Sequence, residues 1–403
     1  MTIRVLGIGD VGNQTTVLRK FLKKSKIHLI AFPREGNALS TYADDMEFFS
    51  SYKVTENLKK INEIKDDFDI CLTTFAGARL AYLAGLNYIM YFVGDDIRTP
   101  PFIKNPKDSF LKEPLPSLNF LERRFYKKVL ENALACIAFD EELFSYLKKY
   151  RRDAISLNGQ VPVDTTIFNE NVKPIDLKKT KFTFLSAQRI GPSKGIDVIW
   201  TALRLCKTDF DVLQVEWFEE RNEEERKINR FFLETKPPQV KLIPLIKREM
   251  LPQYYAFADA IIGQIGLGTQ ANVEREAVFC KKPVIHYPDP KIKYIINGRE
   301  VTAPFLPETK DPRDLANIID KVVESKEFRE RLAEEEFNFI KELCDPDKCA
   351  KKWDDVFEMV CKKQKTICKN SSYMVKKFRL FFFLVANKLY WRKLKRIVSK
   401  DVK

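Results

Sequence analysis

Histidine is almost missing from this chain of 403 residues, which has two, His28 and His286. The eight cysteines form no Cys-x-x-Cys pair, and no histidine stands near Cys344, Cys349, Cys361 or Cys368, whose spacing fits no familiar zinc pattern. A metal centre is not expected, and the cysteines read as small apolar residues, kept reduced in a cytoplasmic chain. The start, Met1-Thr2-Ile3-Arg4-Val5-Leu6-Gly7, goes straight into a strand pattern without the apolar stretch of a secretory leader, so residence in the cytoplasm is the expectation. No self-similarity with a period of about 20 to 50 residues appears, which removes solenoids and propellers. What is there is ordinary for a folded protein: 45% hydrophobic and 12% aromatic residues, enough for a core and against general disorder.

The net charge of +14 suggests a nucleic-acid binder until its placement is read. From Lys362 to Lys403 there are 14 Lys or Arg against the single Asp401, so that stretch carries +13 and everything before it carries +1. The globular part is nearly neutral.

Length alone favours two domains. Short apolar runs separated by helical stretches (Arg4 to Ile8, Ile27 to Phe32, Asp69 to Thr73, Tyr88 to Val93, Ala135 to Phe139) predict a parallel, doubly wound α/β sheet over residues 1–165. A proline- and charge-rich connection, 166–181, reads as a linker. A second alternating set, 182–345, begins with Phe182 to Ser186 and continues through Asp211 to Val215, Val240 to Ile243, Ala260 to Gly263 and Val284 to His286. A closing helix is expected over 346–370, with a return to the first domain as one reading, followed by a basic tail over 371–403. Two such units facing each other would place a ligand in the crevice at the carboxyl ends of their strands.

Three segments suit phosphate chemistry. Gly7-Ile8-Gly9-Asp10-Val11-Gly12 is a Gly-x-Gly-x-x-Gly between strand and helix, able to cradle a pyrophosphate on backbone N–H groups. A dinucleotide site expects an acidic residue after the second strand, where the chain has Ala31-Phe32-Pro33-Arg34. Arg34 could instead meet the 2′-phosphate of NADP, and a purely structural turn is a further reading. Gln188-Arg189-Ile190-Gly191-Pro192-Ser193-Lys194-Gly195 sets two cations across a turn into a helix N-terminus, a clamp for a leaving diphosphate or else a solvated turn. Gly263-Gln264, Gly266-Leu267-Gly268-Thr269 and Glu274-Arg275-Glu276-Ala277 form a glycine turn and helix whose N–H groups could meet phosphate while a glutamate takes sugar or ribose hydroxyls. Glu274 and Glu276 lie on different helix faces, so one of them is expected to face the ligand, and an acidic first turn also simply suits the helix dipole.

In this order the segments resemble family 4 glycosyltransferases of GT-B architecture. Arg189 to Gly195 is similar to that family's donor loop, Glu276-Ala277 with Lys282-Pro283-Val284-Ile285 to its Glu-Ala-Met-Ala…Gly-x-Pro-Val signature, and Val163-Asp164-Thr165-Thr166-Ile167-Phe168 to its linker motif. Ala135 to Leu143 and Gly94-Asp95-Asp96-Ile97-Arg98 resemble further stretches of the first domain. The resemblance implies a retaining transfer from a nucleotide-sugar with no cofactor and no required metal. Arg189 and Lys194 would hold the donor diphosphate, and Glu276 the ribose. Gly266, Gly268, Thr269, Gly9 and Gly12 would line the donor, Asp95 or Asp96 would position the acceptor hydroxyl, and Arg98 and Asn13 would lie on the acceptor side. Both aspartates also suit a structural role, as turn cap or partner of Arg98. Two positions depart from the family: Gly268 stands where the first glutamate of its Glu-x7-Glu belongs, and Val93 where a histidine often precedes the Gly-x-Asp turn.

The tail sets Phe378, Phe381, Phe382, Val385 and Leu389 at helical spacing among Lys376, Lys377, Arg379, Lys388, Arg392, Lys393, Lys395 and Arg396. Its apolar run is far short of the about 20 residues that cross a bilayer, but it can lie on an anionic membrane surface. Docking on the protein's own first domain and stacking of Tyr390 and Trp391 on nucleic acid are the other readings. The expected function is transfer of a sugar to a glycan or lipid-linked acceptor at the cytoplasmic membrane face. A non-catalytic nucleotide-sugar-binding scaffold and an NADP-dependent oxidoreductase are the alternatives.

Overall fold

The computed structural model describes residues 2–33, 47–103, 118–218, 223–367 and 378–385, so Arg34, Cys368 and the tail residues Lys376, Lys377 and 386–403 lie outside the described residues. Two compact units emerge. One holds the described residues up to Gly159 together with those from Ala350 on, and the other runs from Gln160 to Cys349.

The first unit opens with β1 (Ile3–Ile8), α1 (Gln14–Phe21), β2 (Ser25–Ala31) and β3 (Glu47–Phe48). It continues through α2 (Val54–Ile64), β4 (Ile70–Thr73), α3 (Phe75–Ala84), β5 (Tyr88–Phe92) and α4 (Asp95–Arg98). It ends with α5 (Phe120–Asn132), β6 (Ala135–Ala138), α6 (Glu141–Lys148) and β7 (Ile155–Ser156). The strands form one parallel sheet in the order β3-β2-β1-β4-β5-β6-β7. Every residue of β4, β5 and β6 is buried, which is why these strands read as apolar runs without alternation. Gly77 lets α3 lie close on β1, since a Cβ there would stand 2.2 Å from the Ile8 carbonyl oxygen.

The second unit contains β8 (Phe182–Ser186), α7 (Ile196–Leu205), β9 (Phe210–Val215), α8 (Glu223–Glu234) and β10 (Val240–Ile243). There follow α9 (Leu251–Phe257), β11 (Ala260–Ile262), α10 (Asn272–Phe279) and β12 (Val284–Ile285), then a small hairpin of β13 (Tyr294–Ile296) and β14 (Arg299–Val301). Three helices, α11 (Pro312–Glu324), α12 (Lys326–Cys344) and α13 (Pro346–Ile367), complete it and lead back. The sheet is parallel, in the order β10-β9-β8-β11-β12. Neighbouring residues of one strand serve opposite faces: Leu185, Val215 and Ile261 enter one apolar cluster, Phe184, Val212 and Ile262 the other. From Ala350 on, α13 packs with the first unit, where Trp353 meets the Tyr91 ring edge-on at 5.1 Å and Asp354 accepts from the N–H groups of Lys23 and Lys24.

The residue patterns anticipated the two alternating units, and they missed α8, the short edge strands β3 and β7, and the β13–β14 hairpin. Two- and three-residue strands are too brief to show a period.

One core residue is out of character. Glu336 of α12 is fully buried, with one oxygen accepting from Val284 N at 2.8 Å and the other without a hydrogen-bond partner among the described residues. Burial pushes its carboxyl well above the ordinary carboxylate range. A folded-state pKa raised above the unfolded one means the native state holds the extra proton, so this group favours folding at low pH and costs stability as pH rises above the ordinary value. Glu336→Gln keeps the bond to Val284 and removes the titration. It should melt a few degrees higher than wild type at pH 8, with the gap closing toward pH 4, and parallel melting curves across that range would refute the assignment.

Candidate functional site

The topology of the second sheet reverses between β8 and β11, and ligands of open α/β sheets bind at that switch, beyond the carboxyl ends of the strands. The loops leaving β8 and β11, with α10 after them, carry the sequence candidates. Buried Gln188 ties the first two exits together: its amide donates to the Gly263 carbonyl at 2.8 Å, and its own carbonyl accepts from Gln214 at 3.0 Å. Arg189 follows at once, its guanidinium 5.5 Å from the Trp217 ring centre.

The turn Pro192–Lys194 and the glycine loop after β11 then touch backbone to backbone. Gly195, just before α7, has φ +71°, and a Cβ there would lie 2.8 Å from Gly266 N; a Cβ on Gly266 would lie 2.2 Å from Ser193 O. The Lys194 carbonyl accepts from the N–H groups of Ile265 and Gly266 at 3.1 and 3.3 Å. Its ammonium donates to Gln264 Oε1 at 2.7 Å, while Gln264 Nε2 donates to the Thr269 carbonyl. Lys194, Gly266 and Thr269 are therefore brought to one place, at the N-terminus of α7, through Gln264. Nothing in the sequence ranks Gln264 above other glutamines; only its partners do.

Gly268 has no room for any side chain. A Cβ would stand 2.1 Å from Asp289 Cβ, and Asp289 N donates to the Gly268 carbonyl at 3.2 Å. The residue that fills the space is thus an aspartate from the loop after β12, which sequence reading had not singled out.

The two glutamates of α10 are both buried and both already hydrogen-bonded. Neither carboxylate lies open to solvent: Glu274 is 1% exposed and Glu276 4%. Glu274 accepts from Gln264 N at 2.9 Å and Ala271 N at 2.8 Å, bracing the glycine loop against its own helix N-terminus. Burial pushes its pKa up, but His286, the Lys194 charge and the Gln264 N–H outweigh burial and hold it at about 2. Glu276 is gripped at both oxygens by the Arg248 guanidinium, which lies 4.9 Å from the Phe168 ring centre and is itself buried. Arg248 sits in a run, Lys247-Arg248-Glu249, that resembles any surface turn.

In the first unit the switch lies between β1 and β4, at the Gly-x-Gly-x-x-Gly loop. Gly9, at φ +83°, could not carry a Cβ without meeting Thr74 Oγ1 at 2.4 Å, and Gly12 and Asn13 are both left-handed, at φ +61° and +59°. The pyrophosphate-cradle reading meets an internal anion. Asp10 accepts from the N–H groups of Thr15 and Thr16 at 3.0 and 3.1 Å and from Thr16 Oγ1 at 2.6 Å, so α1 already has a carboxylate on its N-terminus. Asn13 is 1% exposed. In the Gly94 to Arg98 turn, Asp96 accepts from Gly94 N at 3.0 Å. Arg98 makes a two-pronged pair with Glu142 at 2.9 and 2.6 Å. The side chain of Asp95 lies outside the described residues.

Residues 168–339 match the family model described as glycosyl transferases group 1. A search of the curated proteins found no match. Among solved structures, sucrose-phosphate synthase from Thermosynechococcus elongatus is similar at TM-score 0.64 and 15% identity, over 89% of this chain and 99% of that one. The Anabaena protein HepE in complex with UDP-glucose is similar at TM-score 0.62 and 16% identity, over 89% and 100%. A glycosyltransferase from Rickettsia africae ESF-5 aligns at TM-score 0.61 and 18% identity, over 90% and 99%. The chain has the two-sheet GT-B architecture of these glycosyltransferases, and its second sheet with its glycine loop is the part that matches group 1.

Proposed function

We propose that this protein is a retaining, family 4 type glycosyltransferase that moves a sugar from a nucleotide-sugar donor to a glycan or lipid-linked acceptor at the cytoplasmic face of a membrane. The observation that carries the reading is the Lys194 ammonium fixed by Gln264 beside the glycine loop and the N-terminus of α7. As the bond to the sugar breaks, negative charge gathers on the departing diphosphate, and cations and helix N–H groups already in place stabilise it without rearrangement. Lys194 and Arg189 supply that charge, and no metal is needed. Gly266 and Thr269 present backbone to the donor. Glu276 keeps lone pairs beyond those used by Arg248 and takes a ribose hydroxyl with one of them. UDP-glucose, bound by the Anabaena neighbour, is the first donor to try.

Asp289 replaces the family glutamate that Gly268 cannot hold. Asp289→Asn is expected to lower turnover about tenfold to a hundredfold through loss of a transition-state contact while leaving nucleotide diphosphate affinity near wild type. The assay is release of nucleotide from a panel of nucleotide-sugars with glycan and lipid-linked acceptors, run in EDTA. A wild-type rate in Asp289→Asn removes that residue from the site. Tight nucleotide binding with no release on any acceptor would instead make the protein a sugar-nucleotide-binding scaffold. The dinucleotide reading is disfavoured by Asp10, whose carboxylate stands where a pyrophosphate would sit.

A further inference from the structure

The helix formed by residues 378–385 is docked on the first unit by two contacts. Phe383, 6% exposed, packs against Phe125 of α5 with ring centres 4.9 Å apart. The Arg379 guanidinium lies 4.2 Å from the centre of the Tyr82 ring of α3 and donates to the Tyr82 carbonyl at 3.2 Å. Phe383 was absent from the sequence stripe, yet it is the residue that anchors the helix. Three residues of that stripe are turned away, Phe378 at 70% exposed, Phe381 at 65% and Val385 at 37%, with Leu384 beside them at 44%, while Phe382 is half-buried and Leu389 lies outside the described residues. Folded proteins rarely leave so many large apolar side chains of about two helical turns uncovered.

The neighbouring α5 carries a second exposed stripe. It buries Phe125, Val129 and Leu130, and at spacings of four, seven and eight from exposed Phe120 it shows Arg124, Lys127 and Lys128 to solvent, Lys128 also pairing with exposed Glu131 at 2.8 Å. Phenyl groups and cations thus stand on two elements bolted to each other, in a chain whose sequence from Lys362 on carries +13. Among the described residues no helix is long and apolar enough to cross a membrane.

We infer that the outer faces of α5 and of helix 378–385 form one docking surface for an anionic lipid bilayer, which fixes the first unit, and not the basic C-terminal sequence alone, to the membrane. This deepens the membrane-face part of the proposed function. Phe378, Phe381 and Phe120 enter the headgroup boundary while Arg124, Lys127 and Lys128 pair with lipid phosphates and carboxylates. Each basic residue near such a surface contributes about fivefold in partition.

The test is co-sedimentation of the full chain with phosphatidylcholine vesicles with and without phosphatidylserine, with a single-stranded oligonucleotide as competitor. Wild type should bind the anionic vesicles and largely ignore the neutral ones. Arg124→Gln/Lys127→Gln/Lys128→Gln should lose about a hundredfold in partition, and Phe378→Ser/Phe381→Ser at least tenfold; all five side chains are exposed, so folding is spared. Partition equal to wild type in the α5 variant overturns the surface, as does binding of oligonucleotide with no binding of anionic vesicles. Nucleotide release with a soluble acceptor, measured on the same variants, separates the two readings. Lost sedimentation with release unchanged supports this surface, whereas vesicle binding without release in wild type removes the transfer reading and leaves the surface standing.

Discussion

Lys194→Ala should cut turnover about a hundredfold to a thousandfold with little change in melting temperature, the loss typical of removing one preorganised group that faces developing negative charge. The side chain is only partly buried, and its neighbours Gln264 and Thr269 keep their mutual bond without it, so the fold has little to lose. The effect belongs in kcat more than in KM, because the diphosphate gains charge as the sugar departs. Arg189→Ala should act in the same direction and less strongly, since Arg189 is spread over the Trp217 ring while Lys194 is aimed by a hydrogen bond at 2.7 Å. Single-turnover rates with a donor panel measure this. A Lys194→Ala enzyme within twofold of wild type would take the diphosphate clamp out of the mechanism.

Arg248→Ala is expected to destabilise the second unit by about 3–5 kcal/mol, the usual result of stripping one partner from a buried pair. Arg248 is 5% exposed and Glu276 4%, so neither can turn to water when the other is gone. In wild type burial already pushes the Glu276 pKa up against the opposing pull of Arg248. Without the guanidinium only the upward push remains, the native state holds its proton more tightly than the unfolded state, and stability falls as pH rises through the carboxylate range. Urea unfolding at pH 5 and pH 8 should show Arg248→Ala weaker at the higher pH, and Arg248→Met with Glu276→Gln should recover most of the loss. If the single variant unfolds like wild type at both values, the pair is not the structural keystone of α10. The same pair fixes the carboxylate proposed to hold the ribose, so the recovered double variant should still bind nucleotide diphosphate more weakly than wild type.

Much of the architecture could be read from one dimension because burial on both faces writes it there. Strands such as Ile70–Thr73 and Tyr88–Phe92 are wholly buried and therefore mostly apolar, and α11 and the cap before it, Asp311 with Pro312, mark their own start. The glycines were equally legible. Gly9, Gly195, Gly266 and Gly268 each sit where a Cβ would strike an atom of another segment, a demand that leaves glycine at the position whatever the ligand is. The pair of cations at Arg189 and Lys194 was legible for the same reason, since residue type and spacing across a turn are sequence properties.

Direction and partnership were not. A helical period says that Glu274 and Glu276 diverge, but both turned out to be buried, one spent on N–H groups and one on Arg248, a residue with a different stretch of chain between them. Asp10 looked like the variable position of a phosphate loop and proved to be the loop's own anion. Asp289 became a candidate only because chain folding brings it against Gly268. Phe383 was one phenylalanine among several until its ring met Phe125.

The sequence by itself determined where backbone must pass close, which strands are buried and where positive charge collects, since these follow from side-chain size, hydrophobicity and charge read in order. Only the tertiary structure decided which carboxylates are already neutralised and which apolar groups are left facing out, because both depend on contacts between residues far apart in the chain, and no local pattern encodes the partner.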